Sequence, residues 1–164
     1  MSEPKWLTIA RADLGIQEIK GPKHNQKVLD YFKEVGRPDI KTDETAWCAA
    51  GLGAWLKRAG LPIPPPAKAL AAISYETYGD RLEQPALGCI GVKRRPGDAW
   101  MRHTGLVVAA NATTIWMISA NSSNSVNIAP FSRWQFTGFR WPEGVPMTYA
   151  RLPAQAPGKA GSEA

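Results

Sequence analysis

The hydrophobic period changes once along this chain, and the change divides its 164 residues into a helical half and a strand half. Up to about residue 75, apolar residues recur three and four positions apart, which is typical of amphipathic helices. From Cys89 onward, short apolar or β-branched runs alternate with turn sequences, which is typical of antiparallel strands. Helices followed by strands predict an α+β domain and not alternating β-α-β units.

Four helices and five strands follow from these patterns. The predicted helices are Pro4–Leu14, Val28–Val35, Cys48–Ala59 and Ala67–Tyr75. The predicted strands are Cys89–Lys93, Gly105–Ala110, Thr114–Ser119, Val126–Ile128 and Phe136–Trp141. Gly79–Pro85 is predicted to be a loop. Gly51 and Gly53 each cost a helix about 1 kcal/mol relative to alanine, so we expect another backbone segment to approach them closely.

The length and composition indicate one folded domain with a tail. A chain of 164 residues can bury one sizeable core but is short for two ordinary domains. The periodic patterns end near Pro142, and the last residues are rich in alanine, proline and glycine. We therefore expect a single domain over residues 1–145 and a disordered tail over residues 146–164.

The charge pattern narrows the class of partner. A formal net charge of +6 favours an anionic partner such as a nucleic acid or a polymer of the cell envelope. The basic residues are scattered apart from one short cluster, Lys93–Arg95, and no nucleic-acid-binding motif is present, so we expect no nucleic acid partner. The first residues lack the pattern of a secretory signal, and no apolar run reaches membrane-spanning length. We expect a monomer that is made in the cytoplasm.

The stretch from Thr42 to Ala50 carries the best candidate for a nucleophile. Polar turn residues give way there to an apolar helical run that begins at Cys48. Asp43 or Thr45 can cap this helix, and a Thr45 cap would place Cys48 in the first turn. Free N–H groups and the helix dipole favour a negative charge at that position, which lowers a thiol pKa.

Two other interpretations of Cys48 stay open. Most free cysteines are buried and behave as small apolar groups. A disulfide between Cys48 and Cys89 would also remove the nucleophile, although nothing else marks the chain as built for an oxidising compartment. Two cysteines without a Cys/His cluster predict no zinc site.

The two histidines differ in their surroundings. His24 lies in a polar loop and is predicted to be solvated. His103 comes at the start of a predicted strand, directly after a Pro-Gly-Asp turn. An imidazole at that place can serve as the base for Cys48 if the strand packs on the cysteine helix.

A third group is needed to orient the imidazole, and strand pairing supplies candidates. If a three-residue turn joins Ala110 to Thr114, Asn121 lies opposite His103 on the same face. Other turn lengths would place Ala120 or Ser119 near His103 instead. Asn121 is therefore the first candidate and Ser119 the second, although the sequence from Asn121 to Asn124 is also typical of a plain turn.

These features together resemble a known group of enzymes. A cysteine at a helix start, a histidine at a strand start and a polar residue on the next strand resemble papain-like NlpC/P60 and CHAP peptidases. More narrowly, a small phage-associated branch of CHAP-like proteins is similar over residues 5 to 142. The similar stretches are Leu14–Ile19, Asp43–Ala50, His103 with Gly105, Asn121–Asn124, Val126–Ile128 and Gly138–Pro142.

The resemblance implies hydrolysis of an amide bond in bacterial peptidoglycan. Cys48 would attack the carbonyl, His103 would take and return the proton, and Asn121 would orient His103. The backbone N–H of Cys48 would bind the oxyanion, and the chemistry needs no metal or cofactor. Trp47, Arg102 and Ser119 are the residues we expect to line the substrate site.

The chain departs from the group's usual pattern beside the histidine. Arg102 stands where such proteins carry glycine, and Thr104 stands where they carry an aliphatic residue. A cation beside His103 could narrow the cleft or lower the pKa of the imidazole by repulsion.

The expected role is that of a phage endolysin, which acts at the cell wall after a membrane hole has formed. A secreted toxin against rival bacteria would share every one of these features. A non-catalytic envelope-binding module and a thiol acyltransferase on the same scaffold are the alternatives in other functional classes.

Overall fold

The computed structural model describes residues 2–19 and 23–156 and is mixed α/β. Three α-helices, Lys5–Ala12 (α1), Gln26–Glu34 (α2) and Cys48–Arg58 (α3), precede all six strands. The strands are Asp80–Leu82 (β1), Ile90–Arg95 (β2), Asp98–Ala110 (β3), Thr114–Ser122 (β4), Ser125–Ser132 (β5) and Phe136–Trp141 (β6). They form one antiparallel sheet in the order β1-β6-β2-β3-β4-β5. The predicted order of helices and strands is confirmed.

Helix α3 lies at the centre of the core. Nine consecutive residues, Cys48 to Leu56, are buried against the other two helices and strands β3 and β4. A Cβ added to Gly51 would overlap the Ala120 side chain, and one added to Gly53 would lie 2.8 Å from Val35 Cγ1. The predicted close approach at both glycines is therefore found, but side chains and not backbone make it.

The predicted fourth helix is wrong. Residues Pro66–Lys68 and Ala72–Thr77 form two short 3₁₀ helices instead. Ala71 between them is extended (φ −101°, ψ 109°), so one continuous helix cannot form. The break allows Ala72 and Tyr75 to be buried against the core, and this tertiary packing outweighs the local preference of an alanine-rich segment.

The sheet is longer than predicted at several places. Asp80–Leu82, predicted to be a loop, pairs with β6, and β3 begins well before Gly105. Phe131 of β5 packs on the imidazole of His103 at 5.5 Å between ring centroids. Since β4 separates β5 from β3, this contact requires the sheet to curl.

The register between β3 and β4 differs from the prediction at the turn but not further along. Ala110 pairs with Ile115 and not with Thr114, because Asn111 and Thr114 close a two-residue turn. A bulge between Val107 and Ala109 shifts the pairing by one residue, so Leu106 pairs with Ile118. The bulge therefore restores the register that a three-residue turn would have produced.

Part of the expected tail packs on the domain. The Ala150 N–H donates to the Ser2 carbonyl, and the Ala110 N–H donates to the Pro153 carbonyl. The Tyr149 ring lies 6.2 Å from the Trp6 ring. Residues 146–156 thus differ from the expected disorder, because their aromatic and backbone groups find partners on the domain. Residues 157–164 lie outside the described residues.

No helix within residues 2–19 and 23–156 is both long and apolar enough to cross a bilayer.

Candidate functional site

Cys48 is the first residue of α3, and the residue before it serves as the N-cap. Trp47 makes no side-chain cap hydrogen bond, so the predicted caps at Asp43 and Thr45 are wrong. The position of the thiol is nevertheless the expected one, at the helix end whose free N–H groups favour negative charge. Cys48 is 4% exposed. Cys48 and Cys89 are both free thiols, so the alternative disulfide is not present.

Asp43 holds the segment that leads into α3 in place. Its carboxylate is fully buried and accepts hydrogen bonds from the backbone N–H groups of Ile19 and Asn25 at 2.8 and 2.9 Å. His24 Nδ1 lies 3.0 Å from the other carboxylate oxygen. Burial opposes ionisation of Asp43, but these three partners together lower its pKa below the usual value.

His24 is therefore not the solvated residue predicted from its polar loop. Its side chain is 24% exposed and pairs with the Asp43 carboxylate. Sequence reasoning missed this pair because residues 19 positions apart meet only through the fold. The available signal was an aspartate just before a cysteine helix, which suggested a cap and not a buried anchor.

Trp47 cannot contact a substrate in this arrangement. Its side chain is fully buried, its Nε1 donates to Glu18 Oε2 at 2.9 Å, and its ring stacks on Tyr31. The segment around Glu18 in turn pairs with the β4–β5 turn, since the Glu18 N–H donates to the Asn124 carbonyl. Trp47 thus packs in the core at the N-terminal end of α3. Its predicted place in the substrate site is wrong.

His103 lies within β3, opposite Lys93 of β2. Burial is the largest cause that lowers the pKa of this imidazole to about 3, and the charges of Lys93 and Arg95 lower it further. The expected effect of a nearby cation is present, but Arg102 is not its source. His103 is therefore a neutral imidazole at neutral pH.

Helix α3, which begins at Cys48, packs against β3, the strand that carries His103. The backbone N–H of Thr104 and the charge of Arg95 both favour the Cys48 thiolate, while burial, the larger effect, raises the pKa of the thiol above its usual value. No hydrogen bond joins Cys48 and His103 within the described part of the chain. The resting pair is a neutral thiol and a neutral imidazole.

The residue predicted to orient His103 makes no hydrogen bond with it in the described part of the chain. Asn121 has a left-handed backbone conformation (φ 57°) at an irregularity in β4. No side-chain hydrogen bond of Asn121 is found in residues 2–19 and 23–156. Ser119, the second candidate, is fully buried, and its hydroxyl has no partner. Burial also rules out direct substrate contact by Ser119, which corrects its predicted place in the substrate site.

A cavity of about 280 Å³ opens beside the thiol. One wall is apolar and comes from residues 67–73, and the other comes from the β2–β3 hairpin. The hairpin wall includes Arg95, Trp100 and Arg102, and Trp100 is 78% exposed. We call this cavity the thiol cleft.

The two arginines of the thiol cleft differ in their partners. Arg102 Nε donates to Glu76 Oε2 at 2.7 Å, and the same guanidinium bonds the Ala99 carbonyl at 2.9 Å. Arg95 has no salt bridge among the residues that the structure describes. Arg102 is thus a wall residue held by Glu76, whereas Arg95 offers a cation to a ligand. The sequence pattern marked Arg95 only as part of the basic cluster Lys93–Arg95 and did not mark Glu76.

The described residues contain no group of three or more His, Cys, Asp and Glu side chains arranged to hold a metal ion.

Fold and site together define a mixed α/β protein with a six-stranded antiparallel sheet and a cysteine at the start of its central helix, below an open cleft. Comparisons with models of protein families, with curated proteins and with solved structures find no match for this chain.

Proposed function

We propose that the chain is a cysteine-dependent peptidoglycan hydrolase with a papain-like, CHAP or NlpC/P60 type of catalytic domain. The observation that carries the proposal is the placement of Cys48 at the start of α3, in the lining of the thiol cleft and on a helix that packs against β3, the strand of His103. The sequence stretches that resemble this group support it. The net charge of +6 favours attachment to anionic envelope polymers.

The proposed reaction begins from neutral partners. As the Cys48 sulfur attacks the amide carbonyl, its proton passes to the His103 imidazole, and the oxyanion accepts a hydrogen bond from the Cys48 backbone N–H. The imidazolium then protonates the leaving amine as the carbon–nitrogen bond breaks. Water hydrolyses the thioester and restores the thiol. Because no hydrogen bond joins the two side chains at rest, the imidazole has to turn toward the sulfur when substrate binds.

The walls of the thiol cleft suggest which part of peptidoglycan it holds. The free guanidinium of Arg95 suits a carboxylate of the stem peptide, and the exposed Trp100 offers a flat apolar face. The chemistry is the same whether the enzyme lyses a phage host through a membrane hole or is delivered to a rival cell.

The test compares wild-type protein, Cys48→Ala and Cys89→Ala on isolated peptidoglycan, with turbidity and mass spectrometry of the released fragments. Cys89 is a matched control, because it is a fully buried free thiol whose pKa burial raises to about 12. We expect loss of clearing in Cys48→Ala alone. Clearing by Cys48→Ala, or equal loss in both variants, would contradict the proposal.

One observation favours a second candidate function. Cys48 is 4% exposed and its thiol pKa is raised by burial, which also describes an unreactive core cysteine. The chain would then be a non-catalytic envelope-binding module that uses the same cleft. Binding of peptidoglycan without any released fragment, and unchanged in Cys48→Ala, would favour that function.

A further inference from the structure

Three buried polar atoms lack a hydrogen-bond partner in the part of the chain that the structure describes. They are His103 Nε2 on β3, Ser119 Oγ on β4 and Asn127 Oδ1 on β5. A buried polar atom without a partner costs roughly 1–3 kcal/mol, and folded proteins contain few of them. Three of them on consecutive strands call for a common explanation.

The strand pairing places two of these residues next to each other. Ser119 pairs directly with Asn127. The Asn127 Nδ2 donates to the Ser122 carbonyl at 2.6 Å and to Ser125 Oγ at 3.0 Å. These two bonds hold the amide in one orientation and leave only its Oδ1 free.

The Ser119 side chain occupies the place that a side chain on Gly105 would take. A Cβ added to Gly105 would overlap Ser119 Oγ and lie 3.2 Å from Ser119 Cβ. Side chains two residues apart on a strand share a face, so His103 and Gly105 lie on the face that Ser119 occupies. Diagonal cross-strand neighbours are about 7–8 Å apart, which is within reach of an aromatic ring.

The hydrogen-bonding capacities of the three groups are complementary. An Nε2–H group donates, a hydroxyl accepts one hydrogen bond and donates another, and an amide oxygen accepts. We propose that His103 Nε2–H donates to Ser119 Oγ and that the Ser119 hydroxyl donates to Asn127 Oδ1. This relay, which rests on the proposed function, makes Ser119 and Asn127 the positioning residues for His103.

The relay has a consequence for the reaction. With its hydrogen on Nε2, the imidazole presents an unprotonated Nδ1 that can accept the Cys48 proton. The hydrogen bonds of the relay become stronger when the His103 ring is protonated, because both ring nitrogens are then donors and Nε2–H needs an acceptor. Rotation of the His103 and Ser119 side chains brings the donors and acceptors of the relay into hydrogen-bonding distance. Asn121, whose backbone is left-handed at the irregularity in β4, has no part in it.

The first test measures the tautomer and the ring-proton exchange of His103 and does not depend on enzymatic activity. The chain has only two histidines, so ¹⁵N-histidine spectra of the Cys48→Ala protein are simple, and His24→Gln assigns them. We expect the Nε2–H tautomer and a slowly exchanging ring proton for His103. Ser119→Ala should speed exchange of this proton at least about tenfold, whereas Ser119→Thr keeps the hydroxyl and the slow exchange. Asn121→Ala is the matched control and should change nothing.

The second test measures hydrolysis by the otherwise wild-type chain. Ser119→Ala should lower kcat about tenfold or more with little change in KM, and Ser119→Thr should recover part of it. An Nδ1–H tautomer, or unchanged exchange and kcat in Ser119→Ala, would overturn the relay. If kcat falls in Asn121→Ala but not in Ser119→Ala, Asn121 orients the base. If wild type cleaves no peptidoglycan while the ring spectra behave as expected, the proposed function fails and the relay stands.

Discussion

The carboxylate of Asp43 and the imidazole of His24 form a pair, 3.0 Å apart, behind the start of α3. The same carboxylate binds two backbone N–H groups from segments on either side of residues 20–22. A single buried charge thus fixes the loop that follows α1, the start of α2 and the approach to the candidate nucleophile.

We expect Asp43→Ala to lower the free energy of unfolding by about 3 kcal/mol. Two backbone donors and one imidazole would lose a charged acceptor in a buried place. His24→Gln should cost less, about 1 kcal/mol, because its side chain is partly exposed. Urea denaturation measures both. Asp39→Ala, which removes an exposed carboxylate paired with Arg37, is the control and should leave the midpoint unchanged. An unchanged midpoint in Asp43→Ala would contradict the anchoring role.

The stability should fall as the pH drops below about 6.5. The pKa of His103 is 6.5 when unperturbed and about 3 in the fold, so the unfolded chain binds a proton in this range that the folded chain does not. The free energy of unfolding is therefore not reduced by His103 above pH 6.5, and it decreases as the pH falls from 6.5 toward 3. Below about pH 4, buried or paired carboxylates such as Asp43 and Glu76, whose pKa values are lowered, add to the loss. Denaturation of His103→Gln at several pH values should show a shallower slope between pH 6.5 and 4.5. The same slope in wild type and variant would refute the assignment.

The Cys48 thiol should be alkylated slowly at neutral pH. Burial raises its pKa above the usual value of 9.0, so the rate with iodoacetamide should still increase above pH 9 and show no plateau near pH 6. Cys48 should nevertheless react before Cys89, because it borders the thiol cleft. Peptide mass spectrometry distinguishes the two sites. A plateau at acid pH would instead reveal a thiolate–imidazolium pair in the resting protein.

The contact between α3 and β4 can be tested by exchanging the small and the larger residue, Gly51 and Ala120, between the two elements. Gly51→Ala should destabilise the fold by about 1–3 kcal/mol, because its new methyl group would overlap the Ala120 side chain. The double variant Gly51→Ala with Ala120→Gly should recover much of this loss, apart from the cost of glycine in a strand. Thermal unfolding of the two single variants and the double variant gives the coupling. Strict additivity would contradict the contact.

Arg95 should determine affinity for an acidic substrate. Its guanidinium has no salt bridge among the described residues, so Arg95→Gln should raise KM for peptidoglycan fragments with free stem-peptide carboxylates about tenfold. It should change KM much less for fragments whose carboxylates are amidated, and kcat should stay similar. Arg151→Gln, which removes an exposed cation outside the thiol cleft, is the control. Equal effects of both variants would show that only overall charge matters.

Much of the fold could be predicted, because the spacing of apolar residues is visible within any short segment of the sequence. The cysteine helix, the order of helices before strands and the main strands follow from apolar spacing that any window of the chain displays. The segment after Pro66 was not predictable in this way, since burial of Tyr75 decides its 3₁₀ geometry. The short edge strand Asp80–Leu82 exists only because β6 lies beside it.

The position of the candidate nucleophile, Cys48, at the start of a helix could be predicted from the sequence, whereas the surroundings of its expected partners could be predicted only in part. Pairing arithmetic with the wrong turn reached the right register at Leu106, because a bulge compensates for the shorter turn. It could not foresee that Asn121 leaves the regular strand while Ser119 turns inward. The sequence alone determined which residue types are available and where helix α3 begins, since both depend on neighbouring residues. Only the tertiary structure decided that Asp43 is an anchor, that Trp47 is buried and that Arg95 faces the thiol cleft, because burial and charge pairing depend on residues far apart in the chain.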